Sequence, residues 1–361
     1  MENKISDIVY EQIKNNPSGY RRILSIQSHV IHGYAGNKCS VFPMQLHGYE
    51  VDPINSVQFS NHSAYKLMKG QVMDGAQLSD IYEGLRLNEI NNYSHILTGY
   101  CRDASFLHEV INIVKDLKQK NPDVLFVRIY SFLLSGVLHQ DFIIIIIIVP
   151  NSGGSWYSYD YKRKLCLCIN CDPVLGDNGH YYVPKELMPI YRDILIPLAD
   201  LITPNIFELS ELSGLSVNNE HECLQAIDLM HKSGVKTVVV SSGLETATTK
   251  FCYGSVYRGP NERALQYRFD IPTLPGAFVG TGDVFISLLL VWMDKLNGDI
   301  VMAIQNVIGT LQRILQRTTN KAYYQRNPKE YNPTSEELEL QLLQSRLDIL
   351  APQVSIKSTK L

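Results

Sequence analysis

Apolar and polar positions along this chain fall into two alternating kinds of block: short apolar runs and longer amphipathic stretches. RRILSIQS (21–28) reads as a strand that ends in small polar residues. NKCSVFPMQLHGY (37–49) has helical spacing and stops at Gly48. EVDPINSVQFSN (50–61) is a second strand-and-loop unit, residues 78–90 are helical, and HILTGY (95–100) is a buried strand opening into a loop. Residues 103–122 predict a long amphipathic helix, with Asp103 as N-cap and Pro122 beyond its end. VLFV (124–127) begins the next strand.

The second half repeats the alternation. A helix is expected over 183–199, then a strand entering LITPN, a helix over 220–234 and the strand KTVVVSSG (236–243). Residues 251–259 and 264–272 read as hairpin strands. VGTGDVFISLLLVWMDKL (279–296) is a glycine turn feeding an apolar helix, and another helix follows over 301–322. Thr334 with Glu337 spells a capping box ahead of a helix in ELELQLLQSRLDIL, and PQVSIK is a short terminal strand. Strand–helix alternation of this kind predicts an α/β fold, with a mainly parallel sheet and helices on both faces. Ligands in such folds bind at the carboxyl ends of the strands.

Composition narrows the classes. With 361 residues, 45% of them hydrophobic, the chain can bury a sizeable core. A net charge of −3 offers no basic excess for nucleic acid. The first 20 residues read as a polar extension without the apolar core of a signal peptide, so a cytoplasmic protein is expected. Seven cysteines, an odd and mostly scattered set, point to reduced thiols rather than a disulfide framework. Cys166, Cys168 and Cys171 could supply three metal ligands, but no fourth ligand or second paired motif accompanies them. Apolar strand thiols are the plainer reading.

The sharpest chemical signal is Gly280-Thr281-Gly282-Asp283. Two glycines let the backbone approach a ligand, and the helix that starts there turns its free N–H groups and positive dipole end to the same spot. That suits a phosphate. Asp283 is then either a general base for an attacking hydroxyl or a first-turn residue favoured by the dipole. Asp172 and Asp177 in CDPVLGD suggest a magnesium ion held near phosphates, although Asp177 also suits a turn. Asn205 and Glu208 stand one helical turn apart and can face the same site, or Asn205 can cap the helix. Ser241 and Ser242 end a strand as small donors. Neither a Walker-type phosphate loop nor a dinucleotide fingerprint is present.

SIQSHVIHGYAGN (25–37), NSVQFSNHSAY (55–65), LTGYCRD (97–103), CDPVLGD, LITPN and FVGTGD (278–283) occur in the order found in pyridoxal kinases, of the ribokinase-like superfamily, and resemble the eukaryotic type. The resemblance implies a three-layer α/β/α fold with a small β-hairpin element, spanning 21–361. It also implies phosphate transfer from ATP to the 5′-hydroxymethyl group of pyridoxal, pyridoxine or pyridoxamine. Mg2+, a monovalent cation such as K+ or Na+, and a homodimer belong to the same expectation. By the resemblance Ser28, Ser63 and Tyr100 hold the vitamin ring, and Asp283 is the base. Asp172, Tyr182, Ser241, Ser242, Leu274, Pro275, Gly276, Gly280, Thr281 and Gly282 serve ATP, while Asp177, Thr203 and Glu208 serve the metal. Ser63 stands where the family commonly has threonine. The loop after Asp177 is shorter than usual, and Cys101 and His32 replace an expected threonine and arginine.

One segment does not fit. Residues 128–170 separate VLFV from CDPVLGD, and they carry six consecutive isoleucines, Ile143 to Ile148. The uninterrupted apolar run, Phe142 to Val149, is too short for a membrane span, which takes roughly 20 residues. The segment is rich in Ile, Tyr, Lys, Ser and Leu without helical or strand periodicity, and it interrupts a strand expected at the centre of the sheet. Our reading is translated intron sequence, ending near Lys164, with LCLCIN (165–170) as genuine strand leading into Asp172. The functional expectation therefore carries an alternative, an inactive isoform or B6- or ATP-binding pseudokinase, beside that of another ribokinase-like kinase.

Overall fold

A computed structural model describes residues 21–120, 168–177, 179–260 and 262–361. Its strands are β1 (Arg22–Val30), β2 (Glu50–Phe59), β3 (Gly70–Val72), β4 (His95–Thr98), β5 (Cys168–Cys171), β6 (Gly176–Asp177), β7 (His180–Tyr181), β8 (Leu201–Ile202), β9 (Thr237–Glu245), β10 (Thr249–Val256), β11 (Leu265–Pro272) and β12 (Ser358–Lys360). The principal helices are α1 (Asn37–Leu46), α2 (Gly75–Leu87), α3 (Ala104–Lys120), α4 (Ile206–Ser213), α5 (Glu220–Lys232), α6 (Thr281–Lys295) and α7 (Ile300–Ala322).

The described residues build one ten-stranded sheet in the order β12-β11-β10-β9-β8-β5-β4-β1-β2-β3, beside a separate two-stranded hairpin, β6-β7. From β2 to β9 all neighbours are parallel, and the antiparallel pairs lie at the two edges. Alternation along each central strand splits the core into two layers. Leu24, Ile26, Ile96, Ile169 and Val238 face α2, α3, α4 and α5. Ile23, Leu97, Leu201 and Val239 face α1, α6 and α7. Helix α6 is buried without interruption from Val284 to Val291, because α1, α7 and the sheet enclose it. Its all-round apolarity is therefore a packing requirement.

Pro53 is tolerated within β2 because its outer neighbour β3 pairs only with Val57, Gln58 and Phe59. Asp103 caps α3 as expected, accepting the Phe106 N–H at 2.9 Å. β5 lies between β4 and β8 and delivers Asp172 to the carboxyl edge of the sheet. The isoleucine run, VLFV and the polar extension lie outside the described residues.

Three expectations need correction. The helix over 183–199 is broken into a 3-10 turn (Lys185–Leu187), one α turn (Met188–Ile190), a π turn (Tyr191–Leu195) and a second 3-10 turn (Ile196–Leu198). Pro189 and Pro197 each withhold an N–H and crowd the preceding turn. The Thr334–Glu337 box forms, with the Thr334 N–H donated to Glu337 Oε2 at 2.9 Å, yet no helix follows directly. The segment ELELQL instead runs through turns, with Leu338, Leu340, Gln341 and Leu342 buried. Helix returns only at Arg346–Leu350. The terminal strand falls at Ser358–Lys360, beyond PQVSIK, where it can pair with the β11 edge.

Candidate active site

The Gly-Thr-Gly-Asp turn caps α6. Gly280 adopts φ +84°, and a Cβ there would stand 2.5 Å from the Tyr34 carbonyl oxygen and 2.6 Å from Cys39 Sγ. Only glycine fits that corner. The Val284 N–H closes the first turn on the Gly280 carbonyl at 3.1 Å. The N–H groups of residues 281–283 have no acceptor one turn back within the helix, which makes an anion-binding end. Gly282 is exposed, and a Cβ on it would meet only Asp172 Oδ2, at 3.8 Å.

Asp283 lies at the centre of the arrangement. Its Oδ2 accepts the Gly36 N–H at 2.7 Å, and its backbone carbonyl accepts the Ser40 hydroxyl at 3.0 Å. Burial pushes its carboxyl up to about 6, with the Gly36 bond opposing the rise. Gly36 in turn has φ +56°, and a side chain on it would overlap the Ser28 carbonyl and hydroxyl. Ser28, near the carboxyl end of β1, is thus packed on the residue that holds Asp283. Buried Asn37 fixes this corner to the sheet. It accepts the Ser25 hydroxyl at 2.8 Å and donates to the Ile54 carbonyl at 3.0 Å and Asn55 Oδ1 at 2.8 Å.

Tyr100 follows β4, receives the Ser56 hydroxyl on its carbonyl at 2.5 Å, and packs beside Val30, Val57 and Phe59. Ser63 is exposed in the turn between His62 and Tyr65. A cavity of about 160 Å³ separates this turn from the 276–279 loop and the C-terminal segment, lined by His62, Ala64, Gly276, Val279, Ser335 and Leu338 among others.

On the opposite side Asp172 is buried at the end of β5 and accepts the Thr203 hydroxyl at 2.9 Å. Burial, and then the charges of Glu208 and Asp283, hold its carboxyl well above the usual range, against the Thr203 bond. Glu208 is raised to about 7, chiefly by burial. Its Oε1 accepts the Leu175 N–H at 2.9 Å and the Gly176 N–H at 3.5 Å, and its Oε2 accepts the Asn205 N–H at 2.9 Å. Asn205 caps α4 and donates from Nδ2 to the Gly176 carbonyl at 2.7 Å. Both carboxylate oxygens of Glu208 are therefore engaged, Oε1 anchoring the loop ahead of Asp177 and Oε2 the helix cap, and Asp177 itself lies in the β6–β7 hairpin. Tyr182 leaves that hairpin exposed, its N–H bound to the Leu175 carbonyl at 2.8 Å.

The remaining candidates lie on other segments. Ser241 and Ser242 are half-buried in β9, with the Ser241 N–H on the Pro204 carbonyl at 3.0 Å. Leu274, Pro275 and Gly276 follow β11, and Pro275 is tied to α7 by the Thr319 hydroxyl at 3.3 Å. Ser28, Gly36, Asp283, Gly282, Asp172 and Thr203 form a continuous set, whereas among the described residues no hydrogen bond joins Ser63, Tyr182, Ser241, Ser242 or 274–276 to it directly. Among the described residues, no group of three or more His, Cys, Asp or Glu could hold a metal ion alone. Cys171 is buried, Cys168 is half-buried, and Cys166 lies outside the described residues. No described helix is long and apolar enough to cross a membrane.

The chain is similar to known proteins. The chain is 47% identical over 345 residues to a putative pyridoxal kinase of Caenorhabditis elegans, covering 92% of this chain and 91% of that one. It is 38% identical over 351 residues to the human pyridoxal kinase, covering 94% and 98%. The chain belongs to the pyridoxal kinase family. A family model described as phosphomethylpyrimidine kinase also matches residues 161–321. Among solved structures, the Leishmania donovani pyridoxal kinase in complex with ADP and pyridoxamine matches with a TM-score of 0.76 and 29% identity, covering 95% of this chain and all of that one.

Sequence reasoning missed three participants. Gly36 was legible only as part of a motif, and its N–H becomes meaningful once α6 is brought beside it. Asn37 reads as an ordinary helix-start residue, yet it is buried and fully engaged. Glu339 reads as one polar position of a helix. In the structure it reaches back to residues 34, 62 and 65.

Proposed function

We propose that the chain transfers the γ-phosphate of ATP to the 5′-hydroxymethyl group of pyridoxal, pyridoxine or pyridoxamine. The observation that carries this is Asp283, held by Gly36 against the Ser28 corner and seated in the first turn of α6. A hydroxyl bound there meets a carboxylate able to take its proton, while the α6 N–H groups face the phosphates. Ser28, Ser63 and Tyr100 line the vitamin side in this reading. Thr281, Gly280 and Gly282 cradle phosphate. Ser241, Ser242, Tyr182 and 274–276 hold the rest of ATP.

Asp172, Glu208 and Asp283 crowd negative charge around a phosphate position, so the donor set suits a cation. Mg2+ would sit near Asp177 and Thr203, with Glu208 supporting the loop and the phosphates and water completing its shell. It would neutralise charge on the phosphates during transfer. A monovalent cation, a homodimer and a cytoplasmic location complete the reading by family likeness.

The test is ATP-dependent phosphorylation of pyridoxal by the purified chain and by a form lacking residues 128–164. Turnover by both supports the reading. Turnover by the shorter form alone makes this chain an inactive isoform. A second reading, another ribokinase-like kinase of a small hydroxymethyl compound, is favoured by the 161–321 match. It would be upheld if neither form used a B6 vitamer while one phosphorylated a different alcohol.

A further inference from the structure

We propose that Glu339 is a positioning residue for the acceptor half of the site, its carboxylate clamping the loop that holds Asp283 to the turn that carries Ser63. The inference rests on the kinase reading above.

Three donors converge on this one side chain. Oε2 accepts the Tyr34 N–H at 2.9 Å, and Oε1 accepts the Tyr65 hydroxyl at 2.9 Å. His62 Nε2 stands 2.9 Å from Oε1. The first donor lies two residues before Gly36, whose N–H holds Asp283. The other two bracket Ser63. Gly33 makes the approach possible: at φ +79°, any Cβ on it would overlap the Glu339 carboxyl group.

The clamp depends on the path of the C-terminal segment, which turns at residues 335–338. Leu338 and Leu340 are buried on either side of it, while the Glu339 carboxylate meets residues 34, 62 and 65. Ser335 adds a second tie, donating its hydroxyl to the Ala64 carbonyl at 2.7 Å. Burial alone would raise the Glu339 carboxyl. The His62, Tyr65 and Tyr34 donors outweigh it and leave the group below its ordinary value. The carboxylate is thus anchored as a charge, and charge-assisted bonds are the stronger kind. None of the three donors belongs to β5, β8 or β9, the strands that carry the phosphate side.

This geometry separates two kinds of effect. A Gln at 339 has the same shape, but one acceptor oxygen replaces two and an N–H2 group faces a donor. It cannot satisfy Tyr34, His62 and Tyr65 together. Glu339→Gln and Tyr65→Phe, with their double variant, are compared with the full chain in steady-state kinetics and in amide hydrogen exchange. The expected result for Glu339→Gln is a KM for pyridoxal raised about tenfold with kcat lowered, and a KM for ATP within about twofold of the parent. Tyr65→Phe should weaken pyridoxal binding less, and add little once Glu339 is Gln. Exchange should quicken in residues 31–36 and 60–66 of the Glu339 variant. An unchanged KM for pyridoxal, or equal changes for both substrates with a lowered Tm, overturns the proposal. A parent chain that never phosphorylates a B6 vitamer overturns the kinase reading instead, and exchange then decides the clamp: unaltered protection in both segments sinks it.

Discussion

In the proposed role of base, Asp283 must be ionised before it can take a proton. Its carboxyl is raised to about 6 by burial, so the active carboxylate is lost as pH falls through that value. The acid limb of kcat/KM for pyridoxal should therefore fall near pH 6. Asp283→Asn should fold normally and lose about a thousandfold or more in kcat, measured by product formation. Asp172 behaves differently because its cost is electrostatic. Its folded carboxyl is raised well above the unfolded value, so the unfolded chain releases this proton first as pH rises. The folded state loses stability from there upward. Asp172→Asn removes that loss while Asn Oδ1 can still accept the Thr203 hydroxyl. Its Tm advantage over the parent should be absent near pH 4 and should grow towards pH 8, in melts followed across pH, even as activity falls. Asp172 and Asp283 were both legible in the sequence, since each sits in a short motif beside glycine or proline. The charge of Asp283 bearing on Asp172 was not, because it depends on the end of β5 and the start of α6 meeting at one place.

At the scale of the element, the start of α6 sets two glycines different tasks. Gly280 is required by its backbone, for a side chain would strike Tyr34 and Cys39 at a left-handed φ. Gly282 has no such restriction, since its Cβ would make only an ordinary contact with Asp172. Gly280→Ala should lower Tm and expression. Gly282→Ala should melt at or above the parent temperature yet lose about ten- to a hundredfold in kcat/KM for ATP, because a methyl group would occupy the phosphate approach. Melting curves and kinetics on the same samples check the split; equal loss of stability in both variants would refute it. The helix was legible here from its glycine turn and apolar run. The apolar spacing of 183–199 predicts one helix, which Pro189 and Pro197 break, and the capping box predicts a helix after Thr334, where the chain runs through turns instead.

For the whole molecule, the question is how a sheet accommodates residues 128–170. β5 is a central strand with parallel neighbours on both sides, and it starts at Cys168, within LCLCIN. The match to a kinase family model likewise begins at 161, before that run. The strand places the return to the sheet within LCLCIN, at the amino end of β5, and the match includes that run. Removing 128–164 shortens the link between α3 and β5 towards the few residues usual in such units. The shorter form should therefore fold, with Tm equal to or above the parent's, and phosphorylate pyridoxal at least as fast. Loss of soluble protein on deletion would show the segment to be part of the fold. Sequencing cDNA across codons 120–175 asks the same question of the transcript.

Local pattern alone determined the alternation of strands and helices, the strand-end loops, the Gly-Thr-Gly-Asp turn ahead of an apolar helix and the motifs that place this chain among the pyridoxal kinases. Those properties are written in neighbouring residues: side-chain period, caps and glycine turns. Only the tertiary structure decided that Gly36 holds Asp283, that Glu208 supports the loop before Asp177, and that Glu339 reaches back across the chain to Tyr34, His62 and Tyr65. Each of these bonds joins segments far apart in sequence, and it exists because the packed sheet and helices bring them together.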